Sequence, residues 1–211
     1  MSVYDRPEYL KQSLDSLLES FDILYPEIII TDDGSTMPET QVILNDFLRK
    51  YYPGKRNINK IDHKGLPFGK LDTIKNDTIH YSEPYFFITD SDMIYKKGWM
   101  EILVELYKRT GAPIVTGFNT LTNKHAILEE YDTFVVKESV GGCNLLVDTR
   151  FYWKHPFTQP HEWDYIMCKN AQKWHTPGVV CSKPSVVDHI GIHGKWTTEN
   201  HNDKAIDFNE K

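Results

Sequence analysis

Tyr85-Phe86-Phe87-Ile88-Thr89-Asp90-Ser91-Asp92-Met93-Ile94 decides how this chain is read. An unbroken apolar, aromatic and β-branched run ends in two carboxylates that share a short turn. Such a run predicts a strand buried on both faces, as inside a parallel sheet. A buried carboxylate without a partner is costly, so Asp90 and Asp92 are expected where the strand emerges at its carboxyl end. In open α/β sheets that edge is where ligands bind. With small Ser91 between them, the two aspartates can grip a hard divalent cation whose other ligands are phosphate oxygens and water. The plainer alternative is a polar strand end closed by an Asx turn.

Upstream of that stretch, Ser2-Val3-Tyr4 is a strand stub. Asp5 is expected to cap a helix with Pro7 in its first turn and Glu8 placed as in a capping box. Leu10, Leu14, Leu17, Leu18 and Phe21 give that helix one apolar face. Glu27 to Thr31 predicts a strand running into Asp32-Asp33-Gly34-Ser35, and a helix follows from Pro38 until Pro53-Gly54 stops it. Asn57 to Ile61 is a short strand, and the loop from His63 to Lys70 feeds a helix over Leu71–Ile79. Downstream come a helix over Gly98–Arg109, with Trp99, Ile102, Leu103 and Leu106 inward, and a strand over Pro113–Phe118. Strand and helix alternate throughout, which implies an α/β fold with helices on both faces of a parallel sheet. The second half is less regular, with strands over Thr133–Val136, Asn144–Val147, Gly178–Cys181 and Val186–His189 and a helix over Glu162–Lys173. One domain with two subsites is expected: a nucleotide-binding half over 1–118, an acceptor and catalytic half over 119–196, and a loose polar tail over 197–211.

The 211 residues carry a net charge of -6, which argues against nucleic acid as a partner, since that wants clustered Lys and Arg. No apolar stretch reaches membrane-spanning length, and Asp5, Arg6 and Glu8 interrupt any N-terminal signal pattern. Cys143, Cys168 and Cys181 are odd in number and widely spaced, so they read as reduced thiols of a cytoplasmic protein.

Several further motifs cluster around the opening stretch. Asp33 ends a second strand at the same edge, where its carboxylate can accept from a base or ribose while Gly34 allows close approach. Lys64, Gly65, Gly69 and Lys70 could bring ammonium groups and amides to a diphosphate, though the spacing is not that of a P-loop. Gly141-Gly142 suggests backbone closeness to a ligand or another strand. Glu162 or Asp164, at a helix start, could be a general base, with Trp163 packing on a sugar face. Their plainer role is to favour the helix dipole. His189 closes an apolar strand and could complete the metal site begun by Asp92. Carboxylate with imidazole favours Mn²⁺ over Mg²⁺.

Together these pieces resemble the inverting family-2 glycosyltransferases of the GT-A fold. The family's Y-[ND]-R-P-x-x-L opening stands as Tyr4-Asp5-Arg6-Pro7-Glu8-Tyr9-Leu10, its strand-D-D-G-S-T as Ile28 to Thr36, and its hydrophobic D-x-D as Phe86 to Asp92. The later P-x-x-x-x-H-I-G ending is Pro184 to Gly191, so the likeness covers nearly the whole chain. The resemblance implies a single Rossmann-like mixed sheet flanked by helices. It implies transfer of a sugar from a UDP-sugar (UDP-glucose-like or UDP-rhamnose) to a hydroxyl of a glycan acceptor, with inversion. It also implies that Val3, Tyr4, Arg6 and Asp33 line the nucleotide, with Ser91 and Gly142 close by and Lys70 on the diphosphate. Asp92 and His189, with Asp90 directly or through ribose, would hold Mn²⁺ or Mg²⁺. The family's base falls on Glu162 by register, while Asp164 is the nearest Asp; both are carried, with Asp164 ahead. Length and opening are similar, too, to the N-terminal domain of multidomain glycosyltransferases from chlorella viruses, which implies further domains C-terminal to this chain and a place in the host cytoplasm. The rivals are a sugar-1-phosphate nucleotidyltransferase, which would want a Gly-rich, Arg-containing loop after the first strand, and a non-catalytic UDP-sugar-binding module.

Overall fold

A computed structural model of the chain describes residues 1–51, 58–65, 83–120, 125–156, 162–191 and 204–209. The helix expected over Leu71–Ile79 lies outside them, as do Gly69 and Lys70. The first half runs β1 (Ser2–Val3), α1 (Pro7–Ser20), β2 (Ile30–Asp32), α2 (Pro38–Tyr51), β3 (Ile58–Lys60), β4 (Tyr85–Thr89), β5 (Met93–Tyr95), α3 (Trp99–Thr110) and β6 (Ile114–Thr116). The second runs β7 (Ile127–Glu130), β8 (Phe134–Lys137), β9 (Asn144–Asp148), α4 (Thr149–Lys154), α5 (Trp163–Trp174), β10 (Val179–Ser182) and β11 (Val187–His189).

Strands β1, β2 and β3 are parallel neighbours, and Ser2 bridges in parallel to Asp90 just past β4. Beyond β4 the order is β9, β6, β10, β8, β7. Here the expectation of a purely parallel first half needs correction. β9 comes from the second half and inserts antiparallel between β4 and β6, so the sheet is mixed. Leu145, Leu146 and Val147 of β9 are fully buried, which is why that run reads like a parallel core strand. In β4 itself only Ile88 and Thr89 are buried, because Tyr85, Phe86 and Phe87 keep part of their rings at the surface.

A second correction concerns Asp5. It does not cap α1; its carboxylate accepts from Thr36 N–H at 2.9 Å, Met37 N–H at 2.8 Å and the Thr36 hydroxyl at 3.0 Å, and so caps the entry to α2. Asp5 and Arg6 both turn through the left-handed region, φ 45 and 55, so the chain aims Asp5 away from its own helix. α1 packs along β5 through a row of serines. Ser16 Oγ accepts from Tyr95 N–H at 2.8 Å, Ser13 Oγ accepts from Met93 N–H at 3.4 Å, and Trp99 Nε1 donates to Ser20 at 3.0 Å. The Ser13 and Ser16 hydroxyls satisfy backbone N–H groups of β5 that no described strand on that edge pairs. Gly111, left-handed at φ 67, closes α3 by donating to Tyr107 O. Ile102, expected inward, stands 41% exposed. The expected loose tail differs too, since residues 204–209 are tied down. Ala205 N–H donates to Asp188 Oδ1 at 2.8 Å, Ile206 N–H to Asn119 O at 2.9 Å, and Ser185 N–H to Asp207 Oδ1 at 2.9 Å.

Cys168 and Cys181 are buried and Cys143 is half-buried, all as free thiols. Burial pushes the Cys168 thiol up to about 12, which keeps it inert. The Tyr107 phenol, donating to Asp148 Oδ2 at 2.5 Å, is pushed up to about 12, by burial first and then by that carboxylate. A phenol whose folded pKa exceeds its unfolded value stabilises fully below about pH 10 and loses that contribution as pH rises towards about 12. Tyr107→Phe should therefore cost stability at pH 8 but narrow its gap to wild type between pH 10 and 12 in urea melts. A constant gap would contradict this origin.

Candidate functional site

The parallel strands β2, β1 and β4 end at one edge, so Asp33 and Asp90 lie two strands apart, roughly 10 Å. Past Asp90 the chain turns at Ser91, which is buried, and enters β5, which leaves the main sheet to pair antiparallel with β11 in the register His189 to Met93. This ribbon carries His189 back from the far end of the chain to the D-x-D turn. His189 Nε2 lies 3.2 Å from Asp92 Oδ2, and Ile190 N–H donates to Asp92 O at 2.9 Å. Arg6 Nη2 reaches the same Oδ2 at 2.9 Å. Gly191 backs this group: a Cβ there would overlap Asp92 Oδ2 and stand 2.9 Å from His189 Nε2. Asp90 is half-buried and fixed by its N–H, which donates to Cys143 O at 2.9 Å. Among the described residues, no three acidic, His or Cys side chains come together as a metal cluster.

Asp33 departs from expectation. Its carboxylate is buried and accepts from Lys64 N–H and Gly65 N–H, each at 2.8 Å, while His63 Nδ1 lies 3.0 Å from its carbonyl. It pins the 63–65 loop rather than facing outward. Lys64 is held there by its backbone. The surface beside it belongs to Tyr4, 40% exposed, stacked on His63 with ring centroids 4.0 Å apart. Val3, expected at the nucleotide, is a core residue whose carbonyl accepts from Asp33 N–H at 2.8 Å. Gly34, left-handed at φ 75, passes so close to His63 that a Cβ would lie 2.8 Å from its backbone N.

At the start of α5, Asp164 Oδ2 accepts from Gly142 N–H at 3.0 Å and Oδ1 from Tyr165 N–H at 2.9 Å. Trp163 is buried in the core, not laid against a sugar, and it explains Gly142, where a Cβ would overlap the indole. Gly142 is thus required by a protein contact. Glu162 is exposed, left-handed at φ 57, and makes no cap bond with its side chain. The non-glycine residues of positive φ among those described are Asp5, Arg6 and Glu162, and of these Arg6 reaches Asp92.

Residues 1–163 match the family model for glycosyl transferase family 2. The chain belongs to glycosyl transferase family 2. The family-2 match takes in β1 to the start of α5, hence both aspartate-bearing strand ends. A search of curated proteins returns no match. Among solved structures, the mannosyltransferase PcManGT from Pyrobaculum calidifontis, in complex with GDP-Man and Mn²⁺, is similar with a TM-score of 0.56 at 14% identity, over 85% of this chain and 54% of that one. The present chain thus spans about half the length of that structure, and at such identity the likeness speaks for the fold alone. The mixed sheet flanked by helices is the GT-A architecture.

This family-2 domain has a donor set that suits a divalent ion. One carboxylate oxygen and one imidazole nitrogen stand 3.2 Å apart against a backbone wall that only glycine permits, and that pair favours Mn²⁺ over harder cations. Reasoning from sequence missed Gly191, His63 as the partner of Tyr4, and the Arg6–Asp92 pair. The signal for Gly191 was present, since a glycine two residues past a candidate metal-binding His implies close approach. Nothing local pointed to the other two.

Proposed function

We propose that this domain transfers a sugar from a UDP-sugar, UDP-glucose-like or UDP-rhamnose, to a hydroxyl of a glycan acceptor in one displacement with inversion. What supports the reading above all is the meeting of Asp92 and His189 against Gly191 at the carboxyl edge of the sheet. Asp92 and His189, with Asp90 acting through water or ribose, would hold Mn²⁺ or Mg²⁺, which would supply positive charge for the diphosphate leaving group. Arg6, and Lys70 outside the described residues, add cationic contacts to the same group. Tyr4 and His63 offer a ring surface for the base, and Asp33 acts through the 63–65 loop that it pins. The exposed Glu162 takes the proton of the acceptor hydroxyl, while Asp164, which sequence put ahead, fixes the Gly142 turn with both oxygens. Residues 1–118 serve the nucleotide and 119–196 the acceptor.

A thermal-shift panel of UDP, GDP and their sugars, with and without Mn²⁺, tests this. A ligand at about 100 times its Kd adds about 2.7 kcal/mol of apparent stability. UDP-sugars should raise Tm in the presence of Mn²⁺, and Asp92→Ala should remove the Mn²⁺-dependent part. A panel led by GDP-sugars would reassign the donor, in the direction of the GDP-Man carried by the archaeal neighbour. No shift with any nucleotide would reject the reading.

A further inference from the structure

We infer that Arg6 is this chain's own counter-cation for Asp92, competing with the divalent ion for one carboxylate oxygen and passing to the diphosphate when ion and nucleotide bind together. The inference rests on the cation reading proposed above. Arg6 Nη2 is 2.9 Å from Asp92 Oδ2, and His189 Nε2 is 3.2 Å from that same atom. The Asp92 side chain is 5% exposed, so its charge is costly unless a positive group stays beside it. A guanidinium meets that need at any physiological pH, because it does not deprotonate. A hard divalent ion bound to Oδ2 would sit about 2.1 Å from it. Two cations on one oxygen repel strongly where water is scarce, so one must withdraw.

Arg6 is built to withdraw. It is the N-cap residue of α1, left-handed at φ 55, and its side chain is 32% exposed and lies 5.8 Å over the Tyr9 ring. The guanidinium can swing without unwinding a turn. The Arg6 side chain makes no cap bond at the start of α1, and that helix end adds a favourable field for an anion drawing Arg6 away. Ion and nucleoside diphosphate should therefore strengthen each other's binding, with Arg6 as the coupling element.

The test uses the full chain. Mn²⁺ binding is read from loss of the free-ion EPR signal, for wild type, Arg6→Gln, Arg6→Met, Arg6→Lys and Asp92→Asn, each alone and with saturating UDP or GDP. Without nucleotide, Arg6→Gln should bind Mn²⁺ about tenfold tighter than wild type. Arg6→Met, which keeps the apolar stem, should match it, and Arg6→Lys, which keeps the charge, should stay near wild type. Nucleotide should raise Mn²⁺ affinity about tenfold in wild type and far less in the two uncharged variants. Unchanged or weaker Mn²⁺ binding in either folded uncharged variant, with binding lost in Asp92→Asn, overturns the role of Arg6 and leaves the cation site standing. Equal Mn²⁺ binding in wild type and Asp92→Asn, or none in wild type under every condition, overturns the cation reading and this inference with it.

Discussion

Glu162→Gln is expected to lower sugar transfer by about 10²–10⁴-fold while leaving Mn²⁺ and nucleotide binding unchanged, because an amide cannot take the acceptor's proton. The substitution is nearly isosteric at an exposed side chain that makes no cap bond, so the fold should not suffer. Asp164→Ala should behave differently. It strips the acceptor from two backbone amides, those of Gly142 and Tyr165, and should destabilise by about 1–3 kcal/mol in urea melts. Its turnover should fall only as far as the displaced Gly142 turn disturbs the acceptor side. The paired result is diagnostic. Full activity in Glu162→Gln beside a dead but well-folded Asp164→Ala would exchange the two roles.

The second large effect is expected from the smallest change. Gly191→Ala adds one methyl group, yet that methyl would overlap Asp92 Oδ2 and crowd the His189 imidazole at 2.9 Å. Both lie on the β5–β11 ribbon, whose ladder and Ile190–Asp92 hydrogen bond resist a shift. The carboxylate must therefore rotate out of line with the imidazole, and Mn²⁺ affinity should drop by roughly a hundredfold, the upper range for disturbing ligand orientation. Turnover at limiting Mn²⁺ should fall in step and recover partly at high Mn²⁺. Calorimetric Mn²⁺ titration of Gly191→Ala checks this; wild-type affinity there would mean that the cation is held elsewhere.

How far these features were readable from residues alone varies with their cause. The strand ending in Asp90-Ser91-Asp92 was legible because burial and charge change sign within two residues. His189 was legible as a partner because it too closes an apolar run, Val186 and Val187. The place of β9 was not, since its Leu-Leu-Val run looks the same whichever way it pairs; only tertiary register makes it antiparallel. Asp5 misled because an Asp three residues before a Glu satisfies the capping pattern locally, whereas its true partners lie at Thr36 and Met37. Trp163 misled for a related reason. Whether an aromatic beside two carboxylates faces ligand or core depends on what lies opposite it, and here that is Gly142.

The ribbon joining β5 to β11 also bears on synthesis. Asp92 leaves the ribosome about a hundred residues ahead of His189, an interval of about 5–20 s at ordinary elongation rates. Until β11 emerges and pairs with Met93–Tyr95, a nascent chain holds its strand ends and its arginine but lacks the imidazole. Completion of the Asp92–His189 pair is thereby postponed until β11 has emerged, so nascent chains that stop short of His189 should not form it.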